Sequence, residues 1–192
     1  MLASASPVRL RVLREGGFAP EVTVSGVDED NVTGPTDHVA HLLAQRKATA
    51  VAERLTGEAA LVLGCDTVLD VDGETRGKPV SLDQARAWWA SVAGRSAILH
   101  SGLCAVDTAS GRRASAVATT IVHYGTPSER EMDAYLATDE PMAVAGAFTI
   151  DGYAAPFVER IEGDHGAVLG LSLPLLRRLL AEIDVEITDL WA

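Results

Sequence analysis

The sequence predicts one α/β or α+β domain spanning residues 1–192, in which helices and strands alternate along the chain. Three observations support this fold class. Hydrophobic residues make up 47% of the chain, which is enough for one core. Segments with helical and with β periodicity follow one another between glycine and proline turns. No internal repeat, low-complexity tract or linker divides them, and two independent domains would be cramped at this length.

The start of the chain predicts a strand, a helix and a second strand. Residues 2–4 have the apolar character of a short buried strand. Ser6 and Pro7 are typical of a helix start, because serine caps the first turn and proline fits its first position. Gly16 ends that helix, and residues 21–25 alternate as a strand does.

The next segment predicts the longest helix and a β-hairpin. Apolar residues recur at helical spacing over residues 36–55. Residues 61–63 predict a short apolar strand, and we expect the polar motif Gly64-Cys65-Asp66-Thr67 where that strand ends. Asp72-Gly73 is a strong hairpin signal.

The middle of the chain predicts a helix followed by an antiparallel hairpin. Ser81 and Gln84 have the spacing of a capping box, so a helix is expected from residue 82 to the glycine at 94. Residues 97–106 and 114–124 then predict two strands joined by a turn.

The last third predicts two helices around two short strands. Residues 126–129 repeat the capping pattern and begin a helix that reaches about residue 138. We expect strands at 148–151 and at 157–161. Ser172, followed by a proline, begins the final helix.

The formal net charge of −11 argues against broad binding to DNA, RNA or anionic membranes, because such binding depends on Lys and Arg neutralising phosphates. A small anionic substrate fits if cations cluster locally or a metal ion is present. No apolar run approaches the ~18 residues that a membrane helix requires, and residues 1–7 lack the pattern of a secretion signal. We therefore expect a cytoplasmic protein whose two cysteines, Cys65 and Cys104, are buried thiols.

The turn before the first helix has features of a phosphate site. Ser6 opens the helix, and Arg9 and Arg14 follow within the first two turns. Free N–H groups and the helix dipole attract anions, and arginines add charge-assisted hydrogen bonds. The alternative is that Ser6 only caps the helix and both arginines are solvated.

Two acidic segments are candidates for catalysis or metal binding. Asp66 follows an apolar strand, where loops of α/β folds place functional groups, although a structural turn aspartate is an equal alternative. The loop Asp28-Glu29-Asp30 offers carboxylates, which Mg²⁺ and Mn²⁺ prefer, and it can equally be an exposed acidic loop.

The basic and histidine residues give weaker signals. Lys78 lies in the rigid turn Gly77-Lys78-Pro79, whereas Lys47 lies on a helix, where lysines are usually solvated. His38 and His41 are interpreted as helix surface and not as zinc ligands. The chain has no P-loop and no serine nucleophile elbow, which argues against those two chemistries.

Taken in their order, these short motifs resemble the Maf family over residues 2 to about 180. The matching pieces are Leu2-Ala3-Ser4-Ala5-Ser6-Pro7 with Arg9, Val27-Asp28-Glu29, Lys47 on its helix, Gly64-Cys65-Asp66-Thr67, Gly73-Glu74, Gly77-Lys78-Pro79, Glu140-Pro141, Ala145-Gly146-Ala147-Phe148 and Gly170-Leu171-Ser172-Leu173-Pro174. Each piece is short, but six or more in register make chance agreement implausible.

The resemblance implies an elongated, twisted, mixed sheet flanked by helices, with two lobes around a central cleft, often as a homodimer. It implies hydrolysis of non-standard or pyrimidine nucleoside triphosphates to monophosphate and diphosphate with Mg²⁺ or Mn²⁺. By this resemblance Asp66 accepts the proton of the attacking water or binds the metal, and Glu29 helps to hold the metal. The residues expected to hold the triphosphate are Ser6, Arg9, Lys47 and Lys78.

The chain departs from the family pattern at two positions linked to base choice. Members that prefer dTTP and UTP commonly carry an arginine where this chain has Val8 and a glutamine where it has Asp151, while Thr67 keeps the family residue. A carboxylate at 151 accepts hydrogen bonds but does not donate them as an amide does. A nucleotide-binding regulator of cell division without important turnover is the second hypothesis. A pyrophosphatase for modified purine triphosphates, which these two departures permit, is the third.

Overall fold

The structure, a computed structural model, describes residues 1–29, 32–55 and 57–192. Asp30, one of the three predicted acidic-loop residues, lies outside these ranges. The helices of the described chain are α1 Pro7–Glu15, α2 Thr36–Ala52, α3 Leu82–Val92, α4 Glu129–Leu136, α5 Glu140–Ala143, α6 His165–Val168 and α7 Leu173–Glu182. The strands are β1 Leu61–Val71, β2 Glu74–Arg76, β3 Ser96–Asp107, β4 Arg113–Tyr124 and β5 Val158–Glu162. None of these helices is long and apolar enough to cross a membrane.

Serine caps begin four of the predicted helices. In each case the serine side chain accepts a hydrogen bond from the backbone N–H three residues later, which satisfies a donor that the first turn leaves free. The caps are Ser6 for α1, Ser81 for α3, Ser128 for α4 and Ser172 for α7. Glu131 also bonds back to the N–H of Ser128 and completes a capping box.

The five strands form one sheet in the order β2-β1-β3-β4-β5, and every pair of neighbours is antiparallel. Both predicted hairpins, at Asp72-Gly73 and between β3 and β4, are confirmed. Parallel pairing in the described chain is limited to isolated bridges from Leu2 to Val22 and to Leu63. The predicted strands at 2–4 and 21–25 are thus single bridges. The fold-class prediction is confirmed in its α+β form, with helices flanking a long-stranded sheet.

Strand β1 is buried on both faces of the sheet, and its side chains alternate between them. Odd-numbered residues of β1 pack against α1 and α7 at one end and against α3 and α4 at the other. Even-numbered residues of β1 pack against α2. The adjacent residues Asp66 and Thr67 therefore point to opposite faces of the sheet.

Two glycines allow the backbone of α2 to lie directly on the sheet. A Cβ atom at Gly64 would lie 2.2 Å from the carbonyl oxygen of Ala44, and one at Gly102 would lie 2.2 Å from that of Ala40. The side of α2 that faces these glycines carries small, fully buried alanines, including Ala48. Small residues on both partners thus fix how closely α2 approaches β1.

Two predicted elements differ from the structure. The strand expected to end at residue 63 continues to Val71, so Asp66 lies in the middle of β1 and not after it. Gly64 lies inside the strand, and its lack of a side chain allows the close contact with α2. The expected strand at 148–151 is absent from the described chain. Before it, Gly146 and Ala147 adopt left-handed backbone angles (φ 66° and 58°), which turn the chain away from an extended path.

Candidate functional site

A cleft of about 850 Å³ runs along the edge of β1. Leu63 pairs with Leu2 and Leu69 pairs with β2, but between them no strand of the described chain pairs with this edge. Seven of the eight predicted site residues line the cleft: Ser6, Arg9, Glu29, Lys47, Asp66, Thr67 and Lys78. Residues far apart in sequence are therefore brought together at one open strand edge.

A lysine and two carboxylates form the charged centre of the cleft. The Nζ of Lys47 donates a 2.6 Å hydrogen bond to Oδ1 of Asp66 and lies 2.8 Å from Oε1 of Glu29. Both Lys47 and Asp66 are buried, whereas the side chain of Glu29 is 53% exposed. The other carboxylate oxygen of Asp66, Oδ2, is buried and has no hydrogen-bond partner in the described chain. Asp66 therefore carries an unsatisfied acceptor, which a water molecule, a ligand or a cation would satisfy on reaching it.

The surroundings of Asp66 make it a stronger base than an ordinary aspartate. Burial raises the pKa of Asp66, and the neighbouring Lys47 and Arg9 oppose this shift without cancelling it. An exposed aspartate, with a pKa near 3.9, is a weak base. A raised pKa brings the carboxylate closer to the range in which it can take a proton from water.

Arg9 is held by the protein on several sides. Its guanidinium donates to the carbonyl oxygens of Gly170 and Cys65, each at 3.0 Å. It also donates to the hydroxyls of Ser4, at 3.0 Å, and Thr67, at 3.2 Å. Four of its five N–H groups thus have protein acceptors. Arg9 therefore lies in the cleft as a fixed positive charge. Its fifth N–H group takes part in none of these four bonds.

The start of α1 faces the cleft with a free backbone donor. Pro7 has no N–H, and the N–H of Arg9 is bonded to the hydroxyl of Ser6 at 3.4 Å. The N–H of Val8 donates no hydrogen bond within the described part of the chain, so it is the donor of the first turn left for an anion. Ser6, Pro7 and Val8 all line the cleft.

Lys78 projects from a turn that is fixed by the opposite wall of the cleft. The turn is held by a 2.8 Å hydrogen bond from the N–H of Gly146 to the carbonyl oxygen of Gly77. A side chain at Gly146 would meet Leu69, with a Cβ only 2.6 Å from its Cδ2, so this position requires glycine. The Lys78 side chain itself is exposed. Its tip is therefore open to solvent, while its backbone is anchored by the turn.

The two lysines of the cleft are the only lysines in the whole sequence. Both were weak candidates when considered singly, because one lies on a helix and the other in a turn. Their rarity in a chain of net charge −11 is a signal that spacing and periodicity do not reveal. The fold places both at one site.

Asp151 is the predicted site residue that the structure places outside the cleft lining. Its carboxylate accepts hydrogen bonds from Arg11 and from the hydroxyl of Thr149. Partial burial favours a higher pKa for Asp151, but these two donors outweigh it and lower the pKa. Arg11 had no signal in the sequence, since its partner lies 140 positions away.

The remaining predictions concern the cysteines and histidines. Cys65 and Cys104 are buried free thiols, as expected, and burial raises the pKa of each to about 11. His38 lies exposed on α2, and Nε2 of His41 bonds to the hydroxyl of Ser115 at 2.8 Å. Residues 1–29, 32–55 and 57–192 contain no group of three or more His, Cys, Asp or Glu that could hold a metal.

The fold and the cleft together define a class: an α+β protein with a cleft that is lined by arginine and lysine and built around a buried carboxylate. The family model described as Maf-like protein matches residues 1–183. The chain therefore belongs to the Maf family, as its sequence motifs indicated.

Several curated relatives align with the full chain. Relatives named nucleoside triphosphate pyrophosphatase from Streptomyces coelicolor and Streptomyces avermitilis are 55% and 53% identical, and the alignments cover all of this chain and 94% and 93% of theirs. A relative of the same name from Rhodococcus erythropolis is 48% identical over all of this chain and 95% of its own. A solved structure of nucleoside-triphosphatase / dITP/XTP pyrophosphatase from Mycobacterium abscessus is 18% identical with a TM-score of 0.38, over 64% of this chain and 72% of that one. That likeness is too weak to support a conclusion.

Proposed function

We propose that this protein is a nucleoside triphosphate pyrophosphatase that hydrolyses the bond between the α and β phosphates. The observation that carries this proposal is the buried Asp66, which is paired with Lys47 on one oxygen and has no partner among the described residues on the other. The names of the full-length relatives support the same reaction. A polyanionic substrate also explains why the chain's two lysines lie in one cleft.

In the proposed reaction a water molecule attacks the α-phosphorus. Oδ2 of Asp66 takes one proton from this water, while Oδ1 stays bonded to Lys47 and keeps the carboxylate in place. The new bond joins the water oxygen to the α-phosphorus, and the bond from that phosphorus to the bridging oxygen breaks. Nucleoside monophosphate and diphosphate leave the site.

The cations of the cleft would hold the phosphates and oppose the charge that develops on them. Lys78, Arg9 and the start of α1 at Ser6 all line the cleft as donors, and Thr67 adds a hydroxyl. Because Arg9 is fixed by four bonds, it needs no reorganisation as charge develops. Lys47 is paired with the carboxylates of Asp66 and Glu29, so its main role would be to orient Asp66.

The donor set fits a hard divalent cation such as Mg²⁺ or Mn²⁺. The half-exposed carboxylate of Glu29 would hold it together with phosphate oxygens and water. Oδ2 of Asp66 would be a further ligand only as the alternative to its role as proton acceptor. When bound, such an ion polarises phosphoryl oxygens and lowers the pKa of water. Within residues 1–29, 32–55 and 57–192 these two carboxylates are too few ligands for a site independent of substrate.

A panel of nucleoside triphosphates tests the proposed function. It contains dTTP, UTP, inosine triphosphate and 7-methyl-GTP, each assayed with Mg²⁺ and with Mn²⁺ for release of diphosphate. We expect monophosphate and diphosphate as products, and the best substrate separates a pyrimidine from a modified-purine preference. Tight binding of a nucleotide without turnover would overturn the proposal and favour the nucleotide-binding regulator of cell division.

Substitution of the exposed lysine of the cleft, Lys78, should act mainly on substrate capture. We expect Lys78→Ala to raise KM for the triphosphate about tenfold or more, with a smaller change in kcat, because one charge-assisted hydrogen bond is lost. Steady-state kinetics with the best substrate measure this. Arg130→Ala, at an exposed position of α4 outside the cleft, is the control and should change neither constant. An unchanged KM for Lys78→Ala would remove this lysine from the phosphate site.

Three wider predictions accompany this function. We propose that residues 1–192 act as one domain, since a single sheet joins elements from β1 to β5. A homodimer, which light scattering on the purified protein would detect, stays a prediction of the family resemblance. An enzyme that acts on free nucleotides would work in the cytoplasm, as the sequence suggests.

A further inference from the structure

Two walls enclose the cleft near the start of α1. One wall includes Ser6, Pro7, Val8 and Arg9, and the other includes residues 143–145 together with Phe148 and Thr149. These walls belong to segments more than 130 positions apart, and their relative position sets the width of the cleft. Contacts between them therefore bear directly on how a ligand enters and leaves.

One ion pair joins these walls just outside the cleft. Arg11 lies one turn beyond Val8 on α1, and its guanidinium donates to Oδ2 of Asp151. Oδ1 of the same carboxylate accepts from the hydroxyl of Thr149, which lines the cleft. A continuous chain of contacts thus runs from α1 through Asp151 to the opposite wall.

The segment after Asp151 is fixed from the other side. The carboxylate of Glu140 accepts hydrogen bonds from the N–H groups of Tyr153, at 2.8 Å, and Ala154, at 3.0 Å. The segment is therefore anchored to its own wall by Glu140 and to α1 by Asp151. Both anchors hold the same short segment, so loss of the second leaves the amides of Tyr153 and Ala154 restrained by Glu140 alone.

We infer that the Arg11–Asp151 ion pair is a clasp that limits opening of the cleft, and that Asp151 is a positioning residue and not a nucleotide ligand. Both carboxylate oxygens of Asp151 are already engaged by the protein. Its negative charge would also repel a triphosphate if it faced the substrate directly. The consequence for nucleotides rests on the proposed function, whereas the clasp itself does not.

The size of the effect follows from the exposure of the pair. The side chain of Arg11 is 46% exposed and that of Asp151 is 22% exposed, so solvent screens their attraction. Pairs of this kind change an equilibrium by about two- to fivefold. Such a change is small for stability but measurable for opening of a local segment.

Hydrogen exchange on the free protein tests the clasp without any ligand. The variants are Arg11→Gln, Asp151→Asn and the charge reversal Arg11→Asp with Asp151→Arg. We expect each single change to speed exchange of the Tyr153 and Ala154 amides about two- to fivefold, and the reversal to restore slow exchange. About 1 M salt should remove the difference between wild type and the single variants, because it screens the pair.

Arg14→Gln is the matched control. Arg14 lies on the exposed side of the same helix and forms no ion pair with the part of the chain that the structure describes, so its loss should not change exchange at residues 153–154. If the single Arg11 and Asp151 variants exchange at the wild-type rate, or if the reversal exchanges as fast as they do, the clasp is overturned.

A nucleotide readout tests the positioning role. Dissociation of a triphosphate analogue with a non-hydrolysable α,β bridge should become about two- to fivefold faster in both single variants and return toward wild type in the reversal. A change in Asp151→Asn alone, without rescue by the reversal, would instead make Asp151 a direct ligand and overturn this role. If wild type binds and hydrolyses no nucleotide, the proposed function fails, while hydrogen exchange still decides the clasp.

Discussion

Asp66→Asn is expected to lower kcat for diphosphate release by about 10²–10⁴-fold, the range that a positioned general base contributes. The amide has the shape of the carboxylate but does not accept a proton from water at neutral pH. The carbonyl oxygen of the new side chain can still accept a hydrogen bond from Lys47, so the geometry of the centre is retained. Binding of the triphosphate should be unchanged or tighter, because one negative charge near the phosphates is removed.

Asp70→Asn is the matched control for this prediction. Asp70 lies on the same strand and the same face of the sheet, but it bonds to the turn at Gly73 and does not line the cleft. We expect its turnover to stay within about twofold of wild type, as for a surface change away from the site. Near-wild-type turnover in Asp66→Asn would remove the carboxylate from the proposed reaction.

The dependence on pH gives the same prediction a second test. The folded-state pKa of Asp66 is raised above its unfolded value, chiefly by burial. Activity that requires the ionised form should therefore decline on the acid side at a pH above the ordinary aspartate value of about 3.9. The effect on stability has the opposite dependence on pH. Because folding favours the protonated form of Asp66, its contribution to the free energy of unfolding is fully present below the unfolded pKa and is lost as pH rises through the folded pKa. Asp66→Asn should thus be no less stable than wild type at pH 7, and the difference should close on acidification.

The local elements could be predicted because their signals are local. A capping serine marks the start of α1, α3, α4 and α7. Its side chain accepts a hydrogen bond from the backbone N–H three residues later, so this signal does not depend on the rest of the chain. The Asp72-Gly73 turn is equally local. These signals give the order of helices and strands, and that order already fixes the fold class.

The site was harder to predict because its decisive contacts are tertiary. Lys47 on a helix is ordinarily solvated, and only the close approach of α2 to Gly64 buries it against Asp66. The polar motif that begins at Gly64 was expected where the strand ends. In the structure Gly64 lies inside β1 and gives α2 room to approach.

Contacts between residues that are far apart in the sequence produce no periodic pattern from which they could be predicted. Arg9 suggested a phosphate ligand, but the sequence could not show that four protein acceptors would surround it. Arg11 gave no signal, and Asp151 was assigned to the substrate through the family pattern alone. In the structure these two residues bond to each other. Asp151, at the position that the family pattern links to base choice, therefore has Arg11 as its partner in this chain.

Gly64→Ala is expected to destabilise the protein by about 3 kcal/mol, the upper end of typical overpacking costs. The added Cβ would lie 2.2 Å from the carbonyl oxygen of Ala44 and 2.5 Å from the backbone N of Ala48. Both are backbone atoms of α2, so no rotamer change relieves the contact and the helix itself must move. For a chain of this length the melting temperature should fall by roughly 6–12 °C.

Displacement of α2 should also impair the reaction, and this links the packing to the site. Lys47 lies on α2, and its 2.6 Å bond to Asp66 lengthens if the helix moves away from β1. We therefore expect Gly64→Ala to lose turnover even at temperatures where it stays folded. Gly77→Ala is the stability control, because a Cβ there meets no atom within 4 Å and its backbone is not left-handed. Urea unfolding and diphosphate release measure the two effects. Wild-type stability of the Gly64→Ala protein would show that α2 does not pack on Gly64. Wild-type turnover despite a large loss of stability would show that Lys47 keeps its bond to Asp66 without this packing.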